Sequence, residues 1–289
     1  MRRTYSLTLF AMTSDELHDL VNAFPDDDEK RLAFAEHVRT YNPERAEFVE
    51  LQVKRAAEDK ANKVPYSRLS SREYELLSKR YYEWGHYMEM YTRVPPGDPL
   101  CKLDQGYVFW RGFVSFARME PENFVALGER LFRMAPIQHA DLYGGEDPIR
   151  KLFSSPFLAR LDSLSLRGTG LDDDDACAMA ECEALQRCTW LDLSDNKITV
   201  RGLEALAASP IFKNKVIVNM SGNPADPSEE PHYDWDGSIA DMSPSPEGDL
   251  VEQKLGRRIP WFHLGWYYAR MVPDRYHACW VGRPDMDLA

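Results

Sequence analysis

The stretch "CTWLDLSDNKIT", residues 188–199, decides the fold. Its apolar positions are Cys188, Leu191, Leu193 and Ile198, with Asn196 set between the last two. A half-buried strand alternates every second residue, and an amphipathic helix returns every third or fourth. The segment does neither for long. Displaced by 27 residues, the pattern falls on itself: Leu161, Leu164, Leu166, Thr169 and Leu171 lie before it, and Val218, Met220 and Asn223 after it. Ile137 stands 27 before Leu164, although His139 then takes an inward place. Helix-like stretches separate the segments: "DPIRKLFSSPFLAR", "DDDACAMAECEALQ" and "RGLEALAASPIFKN". A fixed period of this size predicts stacked strand–turn–helix units.

The asparagine follows from the same geometry. Where each unit leaves its strand, the chain bends inward and its backbone groups lose neighbours to pair with. Buried amides and carbonyls need partners, and an asparagine side chain is both donor and acceptor. Asn196 and Asn223 are therefore expected to serve successive turns, and Thr169 marks a less regular one.

These units, over residues 134–224, resemble the leucine-rich repeat in its longer, helix-containing form, similar to ribonuclease inhibitor. Upstream, "DDDEKRLAFAEHVRTYNPERAEFVELQ" resembles the repeat-companion domain of bacterial repeat proteins. That domain has an acidic run, Arg-Leu, a small-aromatic-Ala segment and a "G-D-P-R-A-E-F-I-x-L-Q" element. Residues 26–31, 32–35 and 43–52 occupy those places, while Glu36 and His37 replace its usual aspartate and tryptophan. "FWRGF" (residues 109–113) is similar to the segment that leads into the repeats. The resemblance implies an α/β protein: a helical N-terminal module (1–100), a β-hairpin and helix (101–133), and a short solenoid with parallel strands inside and helices outside (134–224). An aromatic-rich C-terminal cap or partner-binding segment (225–289) would follow. It also implies adaptor or binding behaviour rather than a reaction.

The residues of the first part support helices. Thr13 with Glu16, and Ser70 with Glu73, form capping-box pairs. "DDDEKRLAFAEHVRTY" places aspartates at a helix N-terminus, and "PENFVALGERLFRM" opens on a proline, which the first turn tolerates. "GYVFWRGFVSFARM" predicts two short strands turning at Arg111-Gly112.

Composition narrows the function. With 289 residues, 44% apolar and 28% charged, the chain can bury a sizeable core. A net charge of −12 argues against nucleic acid, whose phosphates call for clustered Lys and Arg, and suits a basic partner. The five cysteines are odd in number and sparse, as expected of free thiols in a reducing compartment. The opening "MRRTYSLTLFAMTSDEL" has too short an apolar run for a signal sequence, and no stretch approaches the ~20 apolar residues of a membrane span. A cytoplasmic, membrane-free protein is expected.

Side chains flanking the inward leucines face the concave side. The expected rows are Gln138, Ser165, Asp192, Asn219; Pro136, Ser163, Trp190, Ile217; and Ala140, Arg167, Ser194, Ser221. The candidate partner-binding residues are Trp190, Asp192 and Asp195, extended by Ser165, Arg167 and Asn219. Trp190 would serve as an aromatic anchor or pack under the C-terminal segment. Four strands at ~4.8 Å and about 15 Å long present on the order of 300 Å², below the roughly 800 Å² per partner of a standard interface. Flanking regions must therefore take part.

No metal, cofactor or catalytic residue is expected. The spacings of Cys177, Cys182 and Cys188 lack the paired ligands of a zinc site. "HYDWDGS" (residues 232–238) has no apolar strand before it, and Ser245 stands where a calcium loop needs glutamate. It reads as a turn, with Asp234, Asp236 and His232 as the weaker enzyme alternative. Self-assembly through the repeats is the other alternative. The aromatic end, with Trp261, Phe262 and Trp266, reads as a solenoid cap or as a partner surface.

Overall fold

Thr13 Oγ1 accepts from the Glu16 amide while Glu16 accepts from the Thr13 amide, and this reciprocal cap opens α1 (Ser14–Ala23). The computed structural model describes residues 12–62, 69–92, 109–144, 149–215, 217–226, 246–259 and 261. They fall into two compact units, the first reaching residue 116 and including 129–137, the second holding 117–128 and the residues from 138 on.

In the first unit α1 is followed by α2 (Asp28–Val38), α3 (Pro43–Asn62) and α4 (Ser71–Thr92). Asp27 caps α2 by accepting from the Glu29 amide. The Ser70–Glu73 pair forms as expected, and Glu73, buried, also accepts from Arg55 Nε at 2.8 Å. Leu17, Val21, Phe34, Val38, Ala46, Val49 and Phe113 form one core, each large apolar side chain contributing about 1.5–3 kcal/mol.

The hairpin β1 (Phe109–Trp110) and β2 (Phe113–Val114) is antiparallel, with Trp110 opposite Phe113. It turns at Arg111 and Gly112, whose φ of 53° and 86° give the two-residue turn that matches strand twist. Three residues distant in sequence hold it. Arg31 donates to the Arg111 carbonyl and to that of Pro25, Gln52 Oε1 accepts from the Gly112 amide, and the Arg111 guanidinium pairs with Asp28. Arg31 and Gln52 are fully buried, so these bonds form where water cannot replace them.

His18 packs against the edges of Phe34 and Phe113, at 6.4 and 5.7 Å between ring centres. Burial, helped by the Arg45 cation, pushes its pKa down to about 4. The unfolded chain takes up this proton near pH 6.5, whereas the folded one resists until about 4. Stability is therefore fully present above 6.5 and is lost as pH falls toward 4. We expect His18→Gln to lose about 2 kcal/mol less stability than the native chain between pH 7 and 4.5 in urea titrations. Equal losses would refute this.

The second unit is built on a five-stranded sheet of order β3-β4-β5-β6-β7: β3 (Phe116–Met119), β4 (His139–Leu142), β5 (Ser163–Ser165), β6 (Trp190–Asp192) and β7 (Ile217–Asn219). The three pairings from β4 to β7 are parallel. Leu164, Leu191 and Val218 stand in register 27 residues apart and are buried, as are Leu166, Leu193 and Met220. Between strands run α6 (Arg150–Phe153), α7 (Asp173–Glu181) and α8 (Val200–Ala208), each followed by a 3-10 turn that returns the chain to the sheet. Helix α5 (Pro121–Met134) follows β3, and α9 (Pro246–Leu255) lies beyond the sheet strands.

The turns are served as expected. Asn196 Oδ1 accepts from the Leu171 amide at 3.0 Å, and its Nδ2 donates to the carbonyls of Leu166, Leu193 and Ser194. Asn223 repeats this, accepting from Ile198 and donating to Leu193 and Met220. Thr169 makes one such bond, to Leu166.

Two expectations are corrected. The segment 106–119 holds a third strand, β3, which leaves the hairpin and joins the larger sheet. The first parallel strand is also offset: His139 pairs with Ser163, Ala140 with Leu164 and Asp141 with Ser165, a spacing of 24 instead of 27. Ala140 and Leu142 are the inward residues, both fully buried, so His139 never has to enter the core. Pro136, Gln138 and Ala140 thus leave the expected face rows to His139 and Asp141.

Among the described residues no helix is long and apolar enough to cross a membrane. Trp261 is buried edge-on to Phe212 at 5.9 Å. The remaining aromatics of the C-terminal segment, the 232–238 turn and Ser245 lie outside the described residues.

Candidate functional site

Two rows of residues are in register across the sheet. His139, Ser163, Trp190 and Ile217 are in register, as are Asp141, Ser165, Asp192 and Asn219. Polar bonds tie them laterally. Arg118 Nε lies 3.1 Å from Asp141 Oδ2, His139 Nδ1 lies 2.8 Å from Ser163 Oγ, and Asn219 Nδ2 donates to Asp192 Oδ1 at 3.0 Å. Asp192 Oδ1 also accepts from the Ser194 amide and hydroxyl, and Asn219 Oδ1 accepts from Ser221 in the same way. These short turns fix both side chains.

The six candidate residues separate by exposure. Ser165 and Asn219 are buried. Trp190 and Asp192 are half-buried. Arg167 and Asp195 are exposed, their side chains 62% and 50% accessible, and pair at 2.7 Å. The accessible centre is thus Trp190, Asp192, Arg167 and Asp195, with Ser165 and Asn219 as support beneath it.

Asp192 has three donors on Oδ1, and no donor among the described residues reaches Oδ2. Burial raises its carboxyl pKa, against the Ser194 bonds and the Arg167 charge that lower it. A cation brought to Oδ2 would relieve that burial cost.

Asp195 carries a second feature. Its φ of 57° is left-handed, and the places 27 before and after it are Gly168 and Gly222, at 63° and 72°. Glycine takes this conformation freely, whereas an aspartate there costs about 1 kcal/mol.

Ser163, although bonded to His139, is buried and packs as a sheet hydroxyl. Cys188 is fully buried, its pKa pushed up to about 12 by that burial, and it donates to the Trp190 carbonyl. Among the described residues no three His, Cys, Asp or Glu side chains converge on a metal position. Arg118, His139 and Asp141 were missed by the 27-residue template. The alternation His139-Ala140-Asp141-Leu142, polar then apolar twice over, is the signal that finds His139 and Asp141.

In comparisons with known proteins, the chain matches no family model, no curated protein and no solved structure.

Proposed function

We propose that this chain is a non-enzymatic protein-binding module of the leucine-rich repeat kind, an adaptor or inhibitor acting through the sheet face together with flanking regions. Its helical part would be a repeat-companion-like module, and its parallel strands the inner wall of a short solenoid. The strand register at 27-residue spacing and the repeated asparagine turns support that architecture.

The observation that carries the function is Asp195. An exposed aspartate holds a left-handed backbone position that Gly168 and Gly222 fill on either side. Strain kept at one exposed coil, where glycine would remove it, points to use of the side chain. Beside it lie the half-buried Trp190, suited to an anchor, and Asp192, whose Oδ2 no donor among the described residues reaches. Both carboxylates favour a basic partner.

Capture from the source cell's lysate tests this, comparing the native chain with Trp190→Ala and Asp195→Gly. Asp195→Gly is expected to fold with equal or higher stability, by up to about 1 kcal/mol, and yet to lose the partner. A protein retained by the native chain and by both variants would place binding elsewhere.

A further inference from the structure

Arg45, near the start of α3, is buried in a box of aromatic rings. Its guanidinium carbon lies 5.1 Å from the ring centres of Trp84 and Phe113, and 5.9 Å from those of Phe34, Phe48 and Phe109. Nη1 is fully buried without a hydrogen-bond partner. Among the described residues no carboxylate or carbonyl accepts from the rest of the group, and no ion pair forms. The rings stabilise the cation from their faces but accept none of the five in-plane N–H bonds of a guanidinium. Among the described residues, the other two buried arginines of this unit are paired: Arg31 with two carbonyls, Arg55 with Glu73.

Arg45 also lines a cavity of about 310 Å³ within this unit. Phe34, Val38, Trp84, Phe113, Val114 and Met134 give it an apolar wall. Trp84 Nε1 is a second buried donor with no acceptor. The lining holds Asp15 and Glu83 as well. Burial lowers the Arg45 pKa to about 9, so it remains a cation at neutral pH, and burial keeps His18, another lining residue, uncharged there.

We propose that this cavity binds a single carboxylate carried on an apolar or aromatic body, with the Arg45 guanidinium as its counter-ion. The volume falls at the small end of ligand sites. Asp15 and Glu83 are exposed and Glu83 is paired with Arg80, so Arg45 is the buried charge of the described lining, and a single cation suits one negative charge better than a phosphate dianion. A planar guanidinium matches a carboxylate with two parallel bonds. A free small acid and the C-terminus of a chain ending in an apolar residue both supply such a carboxylate. These share one chemistry.

Titration calorimetry on the full chain tests the site with N-acetyl-phenylalanine, its amide, and a five-residue peptide ending in phenylalanine. The acid is expected to bind, and the amide to bind at least about tenfold more weakly, since a bond to a charged group is lost. Arg45→Met should abolish binding. Arg45→Lys, which keeps charge but not the fork, should weaken it about tenfold. If Arg45→Met fails to fold by circular dichroism, the acid–amide pair and Arg45→Lys still decide. A peptide that binds as well as the single residue identifies a chain end as the source; a peptide that is rejected while the acid binds identifies a free acid. No binding of acid or peptide, equal binding of acid and amide, or full binding by Arg45→Met would overturn the proposal.

Discussion

Asn196→Leu is expected to cost the protein about 3–5 kcal/mol, read as a lower midpoint in urea at an unchanged slope. The side chain fits by size, so the loss is one of hydrogen bonds. The buried Leu171 amide loses its acceptor, and the carbonyls of Leu166, Leu193 and Ser194 lose a donor. Only the Leu171 amide is left unsatisfied, at about 1–3 kcal/mol; the carbonyls keep Thr169, Asn223 and the Gly168 amide as donors, so each bond lost there costs about 0.5–1.5 kcal/mol, and relaxation of the turn returns part of the sum. Thr169→Ala provides the scale. Thr169 makes one bond, to a carbonyl that Asn196 already serves, and its removal should cost about 0.5–1 kcal/mol. If the two substitutions cost the same, the asparagine is not what closes the turns.

Gly112→Ala should be about as damaging, for a steric reason. A Cβ there would lie 2.7 Å from Val49 Cγ2 and 2.8 Å from Val49 Cα, and the second of these is backbone and cannot swing away. Either α3 or the hairpin must move. The bond from the Gly112 amide to Gln52 would stretch, leaving a buried donor and acceptor unpaired. With the left-handed φ of 86°, the sum exceeds about 3 kcal/mol. Gly168→Ala isolates the backbone contribution. Its φ is 63° with nothing within 4 Å of the added atom, so it should cost only about 1 kcal/mol. Comparable losses in thermal unfolding would mean that the hairpin is not clamped on Val49.

What could be read from the residues beforehand was whatever repeats or is local. The capping pairs Thr13–Glu16 and Ser70–Glu73 involve residues three apart, and the structure has both. Asn196 and Asn223 were legible because a 27-residue translation superposes chemically alike positions, and Arg111-Gly112 because a turn between aromatic runs is a short-range signal. The first strand was misplaced by three residues because the spacing there is 24, and a fixed template cannot adjust to one shorter coil. Exposure on the face was read less well. Ser165 and Asn219 are buried although they stand in the expected face rows, and their own strand's pattern carries no signal of that. The box around Arg45 was invisible, since its rings come from positions 34, 48, 84, 109 and 113, which no period connects.

The register of the sheet also bears on the order in which the chain assembles. Each parallel pairing from β4 to β7 joins residues only 24 or 27 apart, with one helix inside the closed loop. Loop-closure entropy grows slowly with length, so each added strand meets nearly the same small penalty and finds its neighbour already in place. The hairpin is the opposite case, since Arg31 reaches Arg111 across 80 residues and Gln52 reaches Gly112 across 60. Those bonds require most of the first unit's chain to be gathered beforehand. The sheet can grow strand by strand, whereas the hairpin's clamp closes only once distant helices have met.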